Sequence, residues 1–218
     1  MVSGSIWSLT DFRDDQMKYA MTIFAETGRT VLREITMEDV DPFFEMDSDP
    51  EVHRYLGTKP IKNKDQIADM INYIRQQYID NGIGRWAIVD KETNQFIGWT
   101  GLKLVKDMMN NQTNYYDLGY RLIRRYWGRG IATETAEASL SYGFDKLNLN
   151  EIIATVNCEN TASNIVVEKL GFTLYETFYL HELKHNWYKI NKIVWTDRLN
   201  DKFDPSQLGQ KIERRSGI

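Results

Sequence analysis

The chain has 218 residues, 42% hydrophobic and 27% charged, an ordinary globular balance on a length that fits one domain with a flanking segment and needs no disulfide or metal staple. Its 27 basic and 31 acidic side chains leave a net charge of −4, which argues against non-specific nucleic-acid binding, where a basic excess is needed to neutralise phosphates. Cys158 is the single cysteine, so no intrachain disulfide forms, and there is no run of about 18 apolar residues and no basic-then-apolar leader; the expectation is a cytoplasmic protein without a membrane span.

Residues 1–28 read as an N-terminal arm. Ile6, Trp7, Leu9 and Phe12, then Met17, Met21 and Phe24, fit one or two helical faces, either packed on their own domain or forming the arm of a homodimer. Val31 to Ile35 predicts a first strand. Thr36 then opens Thr-Met-Glu-Asp, an N-cap with Asp39 at the third helical position, and the helix carries Val40, Phe43, Phe44 and Met46 up to Asp49-Pro50. A second helix runs from Lys64 to Asp80, with Ile67, Met70, Ile71, Ile74 and Tyr78 on one face, and Asn81-Gly82 closes it. Strands follow over Arg85 to Asp90 and Gln95 to Leu104, joined by the turn Lys91-Glu-Thr-Asn94.

A polar loop from Lys106 to Thr113 leads to a strand over Tyr116 to Ile123. A helix is expected from Gly130 to Lys146, a short strand over Glu151 to Val156, and a helix from Asn160 to Leu170 ended by Gly171. Two last strands are read over Leu174 to Glu182 and Trp187 to Trp195, and residues 197–218 as a polar tail or terminal helix. The order β-α-α-β-β-β-α-β-α-β-β is that of a mixed α/β sheet with one strand–glycine loop–helix crossover in its middle.

That crossover carries the most chemistry. Arg125-Tyr-Trp-Gly128-Arg-Gly130-Ile-Ala132 lies between a strand and a helix. Two glycines allow bare backbone to approach a ligand, and the helix aims its free N–H groups and positive dipole end at the same place, an arrangement suited to a pyrophosphate. It is neither a dinucleotide fingerprint nor a P-loop, since the third glycine and the Gly-Lys-Ser/Thr ending are missing. Taken alone, such a turn can also be purely structural.

Other segments give this loop a context. Arg125-x-x-Gly128-x-Gly130-x-Ala132 is followed by Asn160-x-x-Ser163 and by Glu168-Lys-Leu-Gly-Phe172. It is preceded by Leu32-Arg33, Asp49-Pro-Glu-Val52, Tyr55-Leu-Gly57 and Phe96-Ile-Gly-Trp-Thr-Gly101. In this order they resemble the GNAT superfamily of acyl-CoA-dependent N-acyltransferases, in the branch of the RimJ/RimL protein N-terminal acetyltransferases, over roughly Thr30 to Trp195. The resemblance implies the GNAT fold over residues 29–196, with acetyl-CoA as co-substrate, no metal, and an amine acceptor that is a protein N-terminus or a small molecule.

The resemblance also implies roles. Backbone N–H groups of Trp127, Gly128, Arg129, Gly130, Ile131 and Ala132 hold the CoA pyrophosphate, and Arg125 and Arg129 add charge. Leu122 and Ile123 end a strand that splays from its neighbour and receives the pantetheine amides, and an N–H near Leu122 meets the oxyanion. Asn160 contacts pantetheine. Ser163 lies near the CoA sulfur and protonates the leaving thiolate, which fits this chain because Val166 and Val167 stand where many relatives carry a tyrosine. For Asn160 and Ser163 a helix-capping role is the competing reading.

The amine needs a base, since a lysine-like amine has a reference pKa of about 10.4 and is protonated at neutral pH. Glu182, ten residues after Phe172, matches a glutamate so used in the RimL-like enzymes; otherwise it is a solvated strand residue. Glu134, Glu151 and Asp117 are weaker candidates, and Glu134 is expected beside Arg129. His53 is read as lining the acceptor cleft or as a plain surface histidine. His181 and His185 lack metal-ligand spacing, and Cys158 has no evident histidine partner for nucleophilic work. Most aromatics read as core; Tyr55, Trp86 and Trp99 are candidates for an acceptor pocket. Two other functions compete: a non-catalytic acyl-CoA sensor, and a nucleic-acid binder using Arg121, Arg124, Arg125 and Arg129.

Overall fold

Trp86 and Ile88 turn to one face of the central sheet and Ala87 and Val89 to the other, and all four are buried because helices cover both faces. The computed structural model describes residues 21–202. Within them the strands are β1 (Ile23–Glu26), β2 (Thr30–Glu34), β3 (Trp86–Asp90), β4 (Phe96–Val105), β5 (Tyr115–Leu122), β6 (Glu151–Asn157), β7 (Thr173–Leu180) and β8 (Leu183–Asn191). They form one sheet in the order β1-β2-β3-β4-β5-β6-β8-β7. Neighbours are antiparallel except β5 and β6, which run parallel.

One face is covered by α1 (Val40–Ser48), the short α2 (Pro50–His53) and α3 (Lys64–Asn81). Phe43, Met46, Val52, Ile67, Ile71 and Ile74 pack there against Ala87, Val89 and Phe96. α3 is held at both ends by its sequence: Asn63 Oδ1 accepts the Gln66 N–H at 3.0 Å, and Gly82 takes the left-handed conformation, φ +67°. Entry to α1 is fixed by Asp39, whose carboxylate receives the Thr36 N–H at 2.8 Å and both guanidinium Nη atoms of Arg33 at 2.7 Å.

The opposite face carries α4 (Ile131–Ser141), which opens into a π-helical turn over Tyr142–Lys146, with α5 (Thr161–Lys169) and α6 (Lys192–Lys202). Ile131, Ala136, Leu140, Phe144, Val167 and Trp195 pack there against Leu102, Leu118, Ile152, Ala154 and Tyr188.

Two expected elements differ. Phe24 does not lie on a helix: it sits in β1, paired with β2, and its ring stacks on Trp86 at 4.7 Å. Tertiary pairing along the edge of β2 overrides the local periodicity there. The rest of the expected helical arm, through residue 20, lies outside the described residues, as does the tail beyond 202. The strand expected over Trp187 to Trp195 instead spans β8 and stops at Asn191, whose side chain accepts the Val194 N–H at 2.9 Å and starts α6. Trp195 is thus a helix residue, 1% exposed, stacked on Phe144 at 5.9 Å.

Candidate active site: a cleft between β5 and β6

Parallel strands β5 and β6 pair only at Asp117 and Ile153. Towards their C-terminal ends a cleft of about 270 Å³ separates them, lined by Leu118, Gly119 and Tyr120 on one side and by Ala154, Thr155, Val156 and Asn157 on the other. It reaches both faces of the sheet. Asn160, Ser163 and Val167 of the α5 region line it on the α4 face, and Tyr55, Leu56, Lys103, Tyr115 and His185 also contribute walls.

The splay leaves backbone groups of β5 without a strand partner. Ile123 N–H donates to Ile97 O of β4 at 3.0 Å, so by strand alternation the N–H of Leu122 points the other way, towards the β6 side. The Leu122 carbonyl accepts Trp127 Nε1–H at 2.8 Å, which holds that peptide in place. The N–H of Leu122 therefore faces the β6 side, whereas the N–H of Ile123 is spent inside the sheet.

Past Leu122 the chain makes a 3-10 turn over Arg124–Tyr126 and reaches the glycine loop. Gly128 and Gly130 both take positive φ, +71° and +75°, where side chains are disfavoured. Gly130 is the N-cap of α4 and no side chain caps the helix; the first intrahelical bond is Glu134 N–H to Gly130 O at 3.1 Å. The N–H groups of Ile131, Ala132 and Thr133 are thus the orphan donors of the first turn, aimed at the exposed loop Trp127–Gly130.

The loop is braced by a residue that sequence reasoning missed. Arg29, in the β1–β2 turn, donates from Nη1 to Arg129 O at 2.8 Å and from Nε to Glu134 Oε2 at 2.7 Å. Glu134 also accepts the Arg29 N–H at 3.1 Å. Partial burial works to raise the Glu134 pKa, but hydrogen bonds from Thr27 and Arg29 and the Arg29 charge outweigh it and hold the carboxyl below its usual range. The expected partner of Glu134, Arg129, instead lies over the Tyr126 ring at 5.2 Å. No local motif announces Arg29, because its contacts span about a hundred residues of chain.

Arg125 does not turn to the cleft. It pairs with Glu45 and, with Arg33, Asp39 and Asn94, lines a larger groove of about 590 Å³ on the α1 face. Both cations that line it are paired, Arg33 with Asp39 and Arg125 with Glu45.

Asn160 caps α5: its Oδ1 accepts the Ser163 N–H at 3.1 Å. Both residues line the cleft, so capping and ligand contact are compatible. Tyr120, another residue the sequence did not single out, donates its hydroxyl to Ser163 O at 3.3 Å, and burial pushes its pKa up to about 12. It stays neutral over the physiological range.

Glu182 is not among the residues that line the cleft. With His181 it forms the two-residue turn between β7 and β8, both in left-handed conformation (φ +66° and +48°), and it is exposed. Among the weaker carboxylates, Asp117 does line the cleft but is tied to Arg85, which also donates to Gly101 O and Asp117 O. Glu151 pairs with Lys189 at 3.5 Å. Tyr55 reaches the cleft, whereas Trp86 is fully buried, and Trp99 lies against the guanidinium groups of Arg85 and Arg121 at 5.4 and 5.1 Å. His53 is buried, its Nδ1 3.1 Å from Thr58 Oγ1. Cys158 Sγ donates to Asn186 Oδ1 at 3.1 Å. Among the described residues no group of three His, Cys, Asp or Glu is placed to hold a metal, and no helix is long and apolar enough to cross a membrane.

Comparison with known proteins agrees with this geometry. The family described as "Acetyltransferase (GNAT) domain" matches residues 29–173. The "uncharacterized N-acetyltransferase p20" of Bacillus licheniformis is 36% identical over 146 residues, 67% of this chain and 80% of that protein. The "FsC-acetyl coenzyme A-N(2)-transacetylase" of Aspergillus fumigatus is 29% identical over 167 residues, 73% of this chain and 70% of that protein. Among solved structures, spermidine N-acetyltransferase from Vibrio cholerae in complex with CoA and spermine shares the fold with a TM-score of 0.64 at 19% identity, covering 77% of this chain and 98% of that one. A strand splayed open beside an uncapped, glycine-led helix, found across a matched region of this extent, identifies the chain as a member of the GNAT family of N-acetyltransferases, enzymes that draw their acetyl group from acetyl-CoA.

Proposed function

We propose that this chain transfers the acetyl group of acetyl-CoA directly to a terminal primary amine. The observation that carries this reading is the cleft itself. It opens beside the α4 and α5 side of the sheet, passes between β5 and β6, and reaches Tyr55, Lys103 and His185. The pyrophosphate would rest on the N–H groups at Gly128–Ala132, and pantetheine would take the place of the missing pairing along β5, with the Asn160 region beside it. The thioester carbonyl would meet the Leu122 N–H, which stabilises the charge that develops when the amine attacks. Ser163 would sit near the sulfur and, directly or through water, supply a hydrogen bond to the departing thiolate.

The resemblance to the RimJ/RimL branch favours a protein N-terminal amine in the cytoplasm as acceptor; a small amine is the competing class. The test is thiol release from acetyl-CoA across peptides with free N-termini, polyamines, amino acids and aminoglycosides. Amine-dependent release with one class supports the reading and names the acceptor. Tight CoA binding with no release for any amine would mean an acyl-CoA sensor instead.

A further inference from the structure

We infer that His185, and not Glu182, accepts the proton of the acceptor amine; the inference rests on the acetyl-transfer reading above. A base in this reaction must line the cleft and keep a free lone pair. Few residues do both. Asp117 lines it, but its carboxylate is engaged by Arg85. Lys103 lines it too; burial and the Arg85 charge lower its pKa, but in its protonated form it offers no lone pair. Tyr115 lines it, but burial and the nearby Asp117 raise its pKa, so it stays a neutral phenol. Tyr120 spends its proton on Ser163 O. Glu182 is outside the lining, on the exposed hairpin turn.

His185 remains. It is 8% exposed, on β8 opposite Asn157 of β6, with the Phe178 ring of β7 at 6.0 Å. Its Nδ1 lies 2.9 Å from the Leu183 carbonyl. A carbonyl only accepts, so Nδ1 carries the proton, and the neutral ring then presents Nε2 as an acceptor. Nε2 has no partner among the described residues and, unlike Nε2 of His53, is not sealed from solvent. A ring fixed through one nitrogen, with the other unpartnered and reachable by solvent, on a residue that lines the cleft is the arrangement a proton acceptor requires.

The step balances as follows. The ammonium R–NH3⁺ gives one proton to Nε2, making His185 an imidazolium. The freed amine forms the N–C bond and the carbonyl becomes an oxyanion facing the Leu122 N–H. Collapse re-forms C=O and breaks C–S, and the departing thiolate takes up the second nitrogen proton. His185 then returns its proton to water. The charged and titratable groups that share this surrounding are Lys103 and Asp117 with Arg85 behind them, Tyr55, Tyr115 and Tyr120 in the cleft, Cys158 at the end of β6, and Glu182 and Lys184 on its own hairpin.

The test uses the full chain, acetyl-CoA, and two small primary amines of unequal basicity, n-propylamine and the less basic glycinamide. His185→Asn keeps a donor for Leu183 O and removes the basic nitrogen; His185→Gln serves as the second variant. The expected result is a loss of about 100-fold in kcat/KM for n-propylamine. For glycinamide, which is already partly unprotonated, the loss is clearly smaller. The KM for acetyl-CoA and the thermal midpoint stay near wild type, and Glu182→Gln is unchanged. Wild-type rates in both histidine variants, or an equal loss for both amines, would overturn the assignment, as would the basicity-dependent defect appearing in Glu182→Gln. A wild-type chain that releases no thiol with any amine would sink the transfer reading itself, which separates the two failures.

Discussion

Asp47 of α1 is fully buried, and Arg121 Nη1 lies 2.8 Å from its Oδ1 and 2.9 Å from its Oδ2. This pair ties the helix layer to the strand residue next to Leu122, so its removal tests how the site is held. Charges about 4 Å apart attract by roughly 4 kcal/mol at an effective dielectric of 20. Making the pair costs desolvation of both ions, so its net worth is smaller. Removing one partner is different, because it strands the other charge and typically costs about 3–5 kcal/mol. Arg121 keeps 18% of its side-chain surface exposed and lies 5.1 Å from the Trp99 ring, so water and the ring relieve part of that penalty. Asp47→Asn is therefore expected near the lower end, about 3 kcal/mol. Arg121→Met strands a carboxylate with no exposure and is expected at about 5 kcal/mol. The double variant, with no charge left to strand, will recover at least half of the larger loss. Urea unfolding of the four proteins forms the cycle. A loss under about 1 kcal/mol for Asp47→Asn, or a double variant no better than the sum of the singles, would refute this account of the pair.

Three further outcomes are expected. Gly130→Ala forces a side chain into φ +75°, although the new Cβ would approach nothing closer than Arg29 Nη2 at 3.7 Å; folding weakens by about 1–2 kcal/mol, while the KM for acetyl-CoA rises and that for acetyl-pantetheine, which lacks the pyrophosphate, does not. Trp127→Phe deletes the 2.8 Å bond to Leu122 O and will lower stability by about 1 kcal/mol while reducing kcat more than it raises the acetyl-CoA KM. For Glu134, whose folded pKa lies below its ordinary 4.5, the pairing stabilises above that ordinary value and is lost as pH falls through the depressed one. Because the pair is partly exposed, Glu134→Gln costs under about 1 kcal/mol at pH 7, and urea midpoints of variant and wild type converge in acid.

Much of the candidate site's local geometry was legible in one dimension because its parts are contiguous. Gly128 and Gly130 stand beside the helix they start, and their positive φ values are the conformations glycine adopts without penalty. Asn160 and Ser163 lie three residues apart on one helical turn, so their shared cap was readable as spacing. The direction of the Leu122 N–H follows from alternation once the strand is placed.

Position along the chain and position in the fold part company at the hairpin. Ten residues after Phe172 leads to Glu182, but two left-handed residues turn the chain there and expose that carboxylate, while His185, three residues on, re-enters the sheet beside the cleft. The helix at Asn191 likewise depends on where β8 stops pairing with β6. The sequence by itself determined the order of elements from the Val31 strand to the Trp187 strand and the glycine turn that leads into a helix, since each depends on periodicity or on residues within one turn. Only the tertiary structure decided that Arg29 braces the loop, that Asp117 is spent on Arg85, and that an imidazole rather than the expected glutamate lines the cleft. Those contacts join residues far apart in the chain, and nothing short of the folded sheet brings them together.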